Sequence, residues 1–366
     1  MRNGAERGFS SVEVLIALTI VLAATAPLLH IAASGQRLSR SHGAATDLHQ
    51  RLRVAVEKLR ADLTLAGAGG LQGPVSDVSG SLAGYLAPLV PARLGARAPD
   101  IPLSAFTDRI SLVLATAEAG PSALTVDMTS ASDAVAISAT ATGCPAAGMC
   151  GFTEGTRALV LDTNGVGAGH DFFTVTGTAG ALAHDAPNPA FHRPYAAGRS
   201  LVVPVVQRVY YFDRPGRRLM VYDGYQSDMP FIDNVVDVRF EYFADRLASS
   251  VTQPPEGMSS CVFDAGLPPV PRLADLGGDG LYLLAPGEMT DGPVCGAGPN
   301  AFDGDLLRIR MVRVTLRLQA GVDEVRARGA LFSQPGRSSS AYSFVPDFEV
   351  TFDVAPRNMT PAVLPR

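Results

Sequence analysis

The sequence predicts an α+β chain, with one long N-terminal helix followed by a large antiparallel, β-rich head. Three observations predict it. The run from Val14 to Ala33 is apolar for twenty residues and holds no acidic residue, Lys or Arg. The stretch after it carries apolar residues at helical spacing. Beyond residue 67 the apolar period falls to two. Composition agrees: 47% of the 366 residues are hydrophobic and 18% are charged, which excludes a disordered polyelectrolyte and a coiled coil. Gly and Pro together number 64 (37 + 27), which implies many turns between short elements. The net charge of −5 gives no electrostatic basis for nucleic-acid binding. Lys58 is the only lysine. A Gly-rich phosphate loop ending in Lys is therefore absent, and a Schiff-base enzyme would have one candidate residue.

Twenty helical residues rise about 30 Å, the thickness of a bilayer's hydrocarbon core, so Val14 to Ala33 reads as a membrane span. The polar leader before it carries Arg2 and Arg7 against Glu6, which holds the N-terminus in the cytoplasm and sends the remainder outward. Ala24 and Ala26 offer small residues for signal cleavage, but Pro27 would follow the scissile bond and disfavours it. Past Gly35, Ala45, Leu48, Leu52, Val56, Leu59 and Leu63 recur at intervals of 3, 4, 4, 3 and 4. That spacing places them on one helical face, with Arg40, Asp47, Arg51, Glu57 and Lys58 on the other. The spacing predicts one helix from Phe9 to Leu63. Bending is expected at Pro27, Gly35 and Gly43, and an end at Gly67, Gly69 and Gly70.

Strands are expected at Arg109 to Ala115, Ala134 to Ala139, Thr156 to Asp162, Phe172 to Thr176, Leu201 to Phe212, Leu219 to Tyr222, Val236 to Tyr242, Leu307 to Leu318 and Phe348 to Val354. Asp162 to Gly165 and Asp213 to Gly216 read as turns. Within Leu307 to Leu318 the alternation slips by one residue, which predicts a β-bulge near Met311. Tyr210, Tyr211 and Phe212 alternate faces, so at least one of them is expected in the core.

The four cysteines are Cys144, Cys150, Cys261 and Cys295. An exported head places them in an oxidising compartment, where an even count favours disulfides. Three pairings are possible. Cys144–Cys150 with Cys261–Cys295 is preferred, because each closes a Gly/Pro-rich loop between predicted strands. Zinc is the rival reading, without a Cys-x-x-Cys and with His170 as the only nearby histidine. No metal or other cofactor is expected. No hydrolase elbow, zinc-protease motif or dinucleotide fingerprint occurs, so the chain is read as a non-enzyme. His170, His184 and His192 fall in predicted turns and are expected to be solvated. Asp275 and Asp279 offer carboxylates for calcium, but lack the full loop spacing and a terminal Glu. They are read as solvated turn residues.

The junction Arg7-Gly8-Phe9-Ser10-Ser11-Val12-Glu13-Val14 closely resembles the class III signal of the type IV pilin-like family, with Ser11 where Leu is frequent. The resemblance implies cleavage by a membrane prepilin peptidase between Gly8 and Phe9, N-methylation of Phe9, and a role for Glu13 in assembly. A carboxylate at the edge of an apolar span is costly, which fits a functional residue. Leu52 to Leu63 followed by Ala66-Gly67 is similar to the helix end of PilW-like minor pilins. Phe152 to Thr156, Phe231 to Val238, Asp275 to Gly280 and Arg357-Asn358-Met359 fit the same resemblance. It implies a leader at 1–8, a transmembrane half-helix at 9–33, an amphipathic half at 34–66 and an exported β-rich head at 67–366. The implied function is a minor pilin that helps initiate or cap a type IV pilus. Its implied partners are the prepilin peptidase, other minor pilins and the major pilin, met through N-terminal helices. The implied location is the bacterial inner membrane, then the cell-surface pilus. The alternatives are a J-like pseudopilin of type II secretion and a membrane-anchored adhesin.

Overall fold

A computed structural model describes residues 10–68, 82–115, 121–138, 144, 149–185 and 191–359. Helix α1 runs unbroken from Ser11 to Leu65, through Pro27, Gly35 and Gly43. The apolar residues of its first half face outward in every direction: Val12, Leu18, Ile20, Leu22, Leu29 and Ile31 are all more than half exposed. Three hydroxyls in this half turn back onto the helix. Thr19 donates to the Ile16 carbonyl (2.8 Å), Thr25 to Val21 (2.9 Å) and Ser34 to Ile31 (2.9 Å). Satisfied in this way, they need no water, a property suited to an apolar solvent. Burial begins at Ser41 and continues at Leu48, Leu52, Ala55, Leu59, Asp62, Leu63 and Ala66. The expected stripe is present at Leu48, Leu52, Leu59 and Leu63, whereas Ala45 and Val56 are only half-buried and Ala55 takes an inward position. Gly67 adopts a left-handed backbone (φ 74°) and donates its N–H to the Val113 carbonyl at 2.9 Å, which turns the chain out of the helix. Gly69 and Gly70 lie outside the described residues.

Two compact units divide the chain: Met1–Leu52 with Gln319–Phe348, and Arg53–Leu318 with Glu349–Arg366. In the first, the segment 319–348 is held by backbone bonds. Val345 donates to Val325 (2.7 Å), Ser338 to Arg326 (2.8 Å) and Arg337 to Asp323 (2.7 Å). Gly336 is required because a Cβ there would run into the Arg326 carbonyl. His49 sets its ring edge against Phe348, 4.9 Å between centroids.

The second unit holds the sheets. β1 (Leu89–Val90), β2 (Arg109–Ala115), β3 (Ser122–Ala123), β4 (Arg157–Asp162), β5 (His170–Gly177), β6 (Ala183–Asp185), β7 (Ser200–Asp213), β8 (Arg218–Tyr222) and β9 (Asp228–Asp233) form one antiparallel sheet. The fourteen-residue β7 is its spine. Its first half pairs with β4 and its second half with β2, while β8 returns beside it through the predicted Asp213 to Gly216 turn. β10 (Val235–Ala244) is followed by the two-residue strands β11 (Phe263–Asp264) and β12 (Val270–Pro271). Then come β13 (Tyr282–Leu284), β14 (Val294–Cys295), β15 (Phe302–Asp303), β16 (Ile309–Leu318) and β17 (Phe348–Val354). A second sheet has the order β13-β10-β16-β17.

The expected bulge sits between β10 and β16. Phe243 pairs with Met311 and Ala244 with Ile309, so Arg310 is the extra residue. Ile309 and Val312 both point inward as a result, with Met311 half-buried between them. Three expectations need correction. The strand expected at Ala134 to Ala139 is reduced to single bridges, Val135 with Leu182 and Leu124 with Ile137; Ala139 lies outside the described residues. The strand expected to start at Val236 starts at Val235, because a register shift between Val235 and Asp237 puts Val235 in the core and leaves Val236 half-buried. The strand start expected at Leu307 is a 3-10 turn, Gly304–Arg308, and β16 begins at Ile309.

Candidate functional site

The site singled out in the sequence is the start of α1. Gly8 and Phe9 lie outside the described residues. Ser10 stands just ahead of the helix, and its Oγ accepts the Val12 N–H at 3.2 Å. The Ser10 N–H donates in turn to Glu13 Oε2 at 3.0 Å. These two bonds form an N-terminal cap that satisfies the Ser10 and Val12 N–H groups. The Ser-x-x-Glu spacing announces that cap, which gives Glu13 a structural role beside the expected one in assembly. Glu13 thus sits in an apolar first turn with one oxygen engaged by the backbone and its side chain exposed. Its charge also lies at the positive end of the helix dipole.

In the second unit, the end of α1 is fixed by buried polar chemistry. Tyr210 donates to Asp62 Oδ2 at 2.7 Å, and Lys58 Nζ lies 2.8 Å from Asp62 Oδ1. Burial, reinforced by Asp62, raises the Tyr210 phenol well above its ordinary pKa and keeps it a donor. Arg60 stacks over the Phe352 ring at 5.5 Å, and Arg357 N–H donates to the Thr64 carbonyl at 3.2 Å.

All four cysteines pair as preferred. Cys144 bonds Cys150 with Cα atoms 4.5 Å apart, and Cys261 bonds Cys295 with Cα atoms 5.1 Å apart. Gly167 (φ 76°) packs its backbone onto the second bridge, where a Cβ would come within 2.5 Å of Cys261 Sγ.

The three histidines are buried or half-buried rather than solvated, and His192 alone of them lies in a loop. His170 opens β5 and is buried. His184 lies in β6 and stacks on Phe191 at 4.3 Å. His192 is anchored by Asp171. Asp171 Oδ2 accepts the His192 N–H (3.0 Å) and the Tyr195 hydroxyl (3.0 Å), and lies 2.5 Å from His192 Nδ1. Asp171 Oδ1 accepts from Asn300 Nδ2 (2.9 Å), which also donates to the His170 carbonyl (3.0 Å). Beside it Arg193 ion-pairs with the buried Asp162. Burial lowers the His170 pKa from 6.5 to about 4, against the opposing pull of Asp171, and its Nδ1 has no hydrogen-bond partner among the described residues. This centre is a brace joining β5, the 191–195 loop and the segment after Cys295. It was invisible in the sequence because its members are far apart along the chain.

Among the described residues, no cluster of three or more possible metal ligands includes Asp275 or Asp279. Asp275 Oδ1 accepts the Ala248 N–H at 2.8 Å, and Arg246 donates to the carbonyls of Leu276, Gly277 and Gly280. A guanidinium therefore takes the loop oxygens a calcium ion would need. A different trio, Asp291, Asp303 and Asp305, brings one carboxylate oxygen each to within 4.8 Å of the others. Asp305 is ion-paired with Arg308, and Asp303 accepts the N–H groups of Gly292 (2.6 Å) and Asp305 (2.8 Å). Burial outweighs Arg308 and raises the Asp305 pKa to about 6. Internal partners already use the Asp303 and Asp305 carboxylates, so the trio reads as a turn lock.

The chain matches no family model, no curated protein and no solved structure.

Proposed function

We propose that the chain is a minor-pilin-type subunit, anchored through α1 in the inner membrane and incorporated by that helix into a type IV filament. The observation that carries this reading is the exposed apolar first half of α1. Eleven Val, Leu and Ile side chains between Val12 and Ile31 are more than half exposed. Covering what remains exposed of them stabilises by on the order of 10–20 kcal/mol. Lipid, and afterwards neighbouring helices, supply that cover. The helix meets the length and hydropathy of a membrane span. The Gly8-Phe9 junction and Glu13 then take the processing, methylation and assembly roles the resemblance implies. In a helix bundle the Glu13 carboxylate meets the new amine of a neighbouring Phe9, and the charges compensate. The β-rich unit, with two disulfides, is the exported head.

The Ser10–Glu13 hydrogen bond dictates the test. Glu13→Gln keeps an oxygen for the Ser10 N–H and removes the charge, whereas Glu13→Ala removes both. Both variants should insert in the membrane and be processed, and both should be depleted from sheared filaments. Wild-type incorporation of Glu13→Gln would reduce Glu13 to a helix cap and leave an anchored adhesin as the better account.

A further inference from the structure

Within the unit formed by Met1–Leu52 and Gln319–Phe348, a cavity of about 210 Å³ is lined by Arg37, Arg40, Arg337, Glu324, Ser339 and Ser340. Arg37 and Arg40 stand three residues apart on one face of α1, next to the buried Ser41. Arg337 arrives from the far end of the sequence on a coil strapped by the Gly336, Arg337 and Ser338 backbone bonds. Two other arginines of this unit are engaged by carboxylates: Arg326 pairs with Asp323 and Arg51 with Asp47. Among the described residues, the three cavity guanidiniums make no ion pair, even with Glu324. Three positive charges against one negative leave the cavity at +2.

Position identifies what neutralises it. The apolar run ends at Ala33. At 1.5 Å per residue, Arg37 lies about 6 Å beyond it and Arg40 about 10 Å. The polar head-group layer extends about 5–7 Å beyond the hydrocarbon core on each side. Arg37 therefore sits at phosphate depth and Arg40 at the outer margin. The planar guanidinium fork matches phosphate oxygens bidentately. The cavity is below the ~300–1,000 Å³ of drug-sized sites, a fit for a small polar head group. We propose that this cavity binds the phosphate of an anionic lipid head group, and so pins the first unit to the bilayer surface before assembly. The proposal rests on the membrane-span reading of α1.

The test uses the full-length chain in neutral detergent, titrated with dioctanoyl phosphatidylglycerol, dioctanoyl phosphatidylcholine and inorganic phosphate. Arg337→Gln is the informative variant, because it removes one cavity guanidinium and leaves α1 and its own juxtamembrane arginines unchanged. Phosphatidylglycerol should bind best, and Arg337→Gln should weaken it about fivefold, the usual effect of one arginine at an anionic surface. Arg239→Gln, the same charge change on β10, should leave binding unchanged. Equal binding by wild type and Arg337→Gln, equal loss in Arg239→Gln, or equal affinity for phosphatidylcholine would overturn the proposal. Inorganic phosphate binding as tightly as phosphatidylglycerol would overturn the lipid assignment. Resistance to alkaline carbonate extraction reports the span separately. A chain that is extracted yet still discriminates Arg337→Gln would remove the anchor reading and keep the cavity site.

Discussion

Tyr210→Phe removes one oxygen, and the structure fixes what that oxygen does. The hydroxyl is buried and donates at 2.7 Å to Asp62, itself 6% exposed, whose other oxygen meets the half-exposed Lys58. A hydrogen bond to a charged group contributes about 1.5–3 kcal/mol. Without it, Asp62 keeps one partner, and a buried carboxylate left short of donors is costly. The expected cost is about 2 kcal/mol, concentrated where α1 docks, because Asp62 lies on the helix and Tyr210 on β7. Hydrogen exchange on the full-length chain reads this locally. Amides of residues 57–64 should exchange roughly 30-fold faster in Tyr210→Phe, the equivalent of about 2 kcal/mol. Asp62→Ala should cost about 3 kcal/mol, since it strands the Tyr210 hydroxyl as well. The double variant should cost less than the sum, with a coupling of about 1–2 kcal/mol. Unchanged exchange at 57–64, or a coupling under about 0.5 kcal/mol, would refute the claim that this pair holds the helix to the sheet.

Other expectations follow from the same structure. Cys261→Ser with Cys295→Ser opens a 34-residue step and should cost about 3–4 kcal/mol, whereas opening the six-residue Cys144 step should cost nearer to about 2 kcal/mol; urea midpoints of the two double variants measure the order, and the reverse order would contradict it. His170 is held neutral by burial, with its pKa at about 4 against 6.5 when unfolded. The unfolded chain therefore binds the extra proton between those values, and the stability contribution is whole above pH 6.5 and lost as pH falls toward 4. The full span is about 3 kcal/mol. His170→Phe should flatten the urea midpoint across that window, and an unchanged slope would place the acid sensitivity elsewhere.

The elements legible in the sequence are those whose period is set by a single interface. The α1 stripe and β17 fall where their periods place them, β2 falls where its apolar run does, and the slip near Met311 marks the bulge whose extra residue is Arg310. Alternation misleads at Ala134 to Ala139, because Val135 and Ile137 stand among small residues and bury too little to recruit a full ladder. Asp133 also commits its carboxylate to the Thr129 and Ser130 N–H groups just before it. The 319–348 segment carries no period, since backbone bonds to its own coil hold it. At the candidate site, both cysteine pairs were readable from the loops they close, and the Ser10-x-x-Glu13 spacing from its place at the start of α1. The Asp171 brace, the Tyr210–Asp62 pair and the Arg37–Arg40–Arg337 cavity join residues that only folding brings together.

The most direct measurement is the N-terminus of the membrane-bound chain, read by mass spectrometry after expression with an active prepilin peptidase. The account predicts a mature chain that begins at a methylated Phe9. Loss of Arg2, Arg7 and Glu6 removes a net +1, so the formal charge moves from −5 to −6. Gly8→Leu should block that cut, because any side chain there obstructs close approach of the backbone to the peptidase. A chain that still begins at Met1, or one cut beyond Ala26, would contradict the prepilin account.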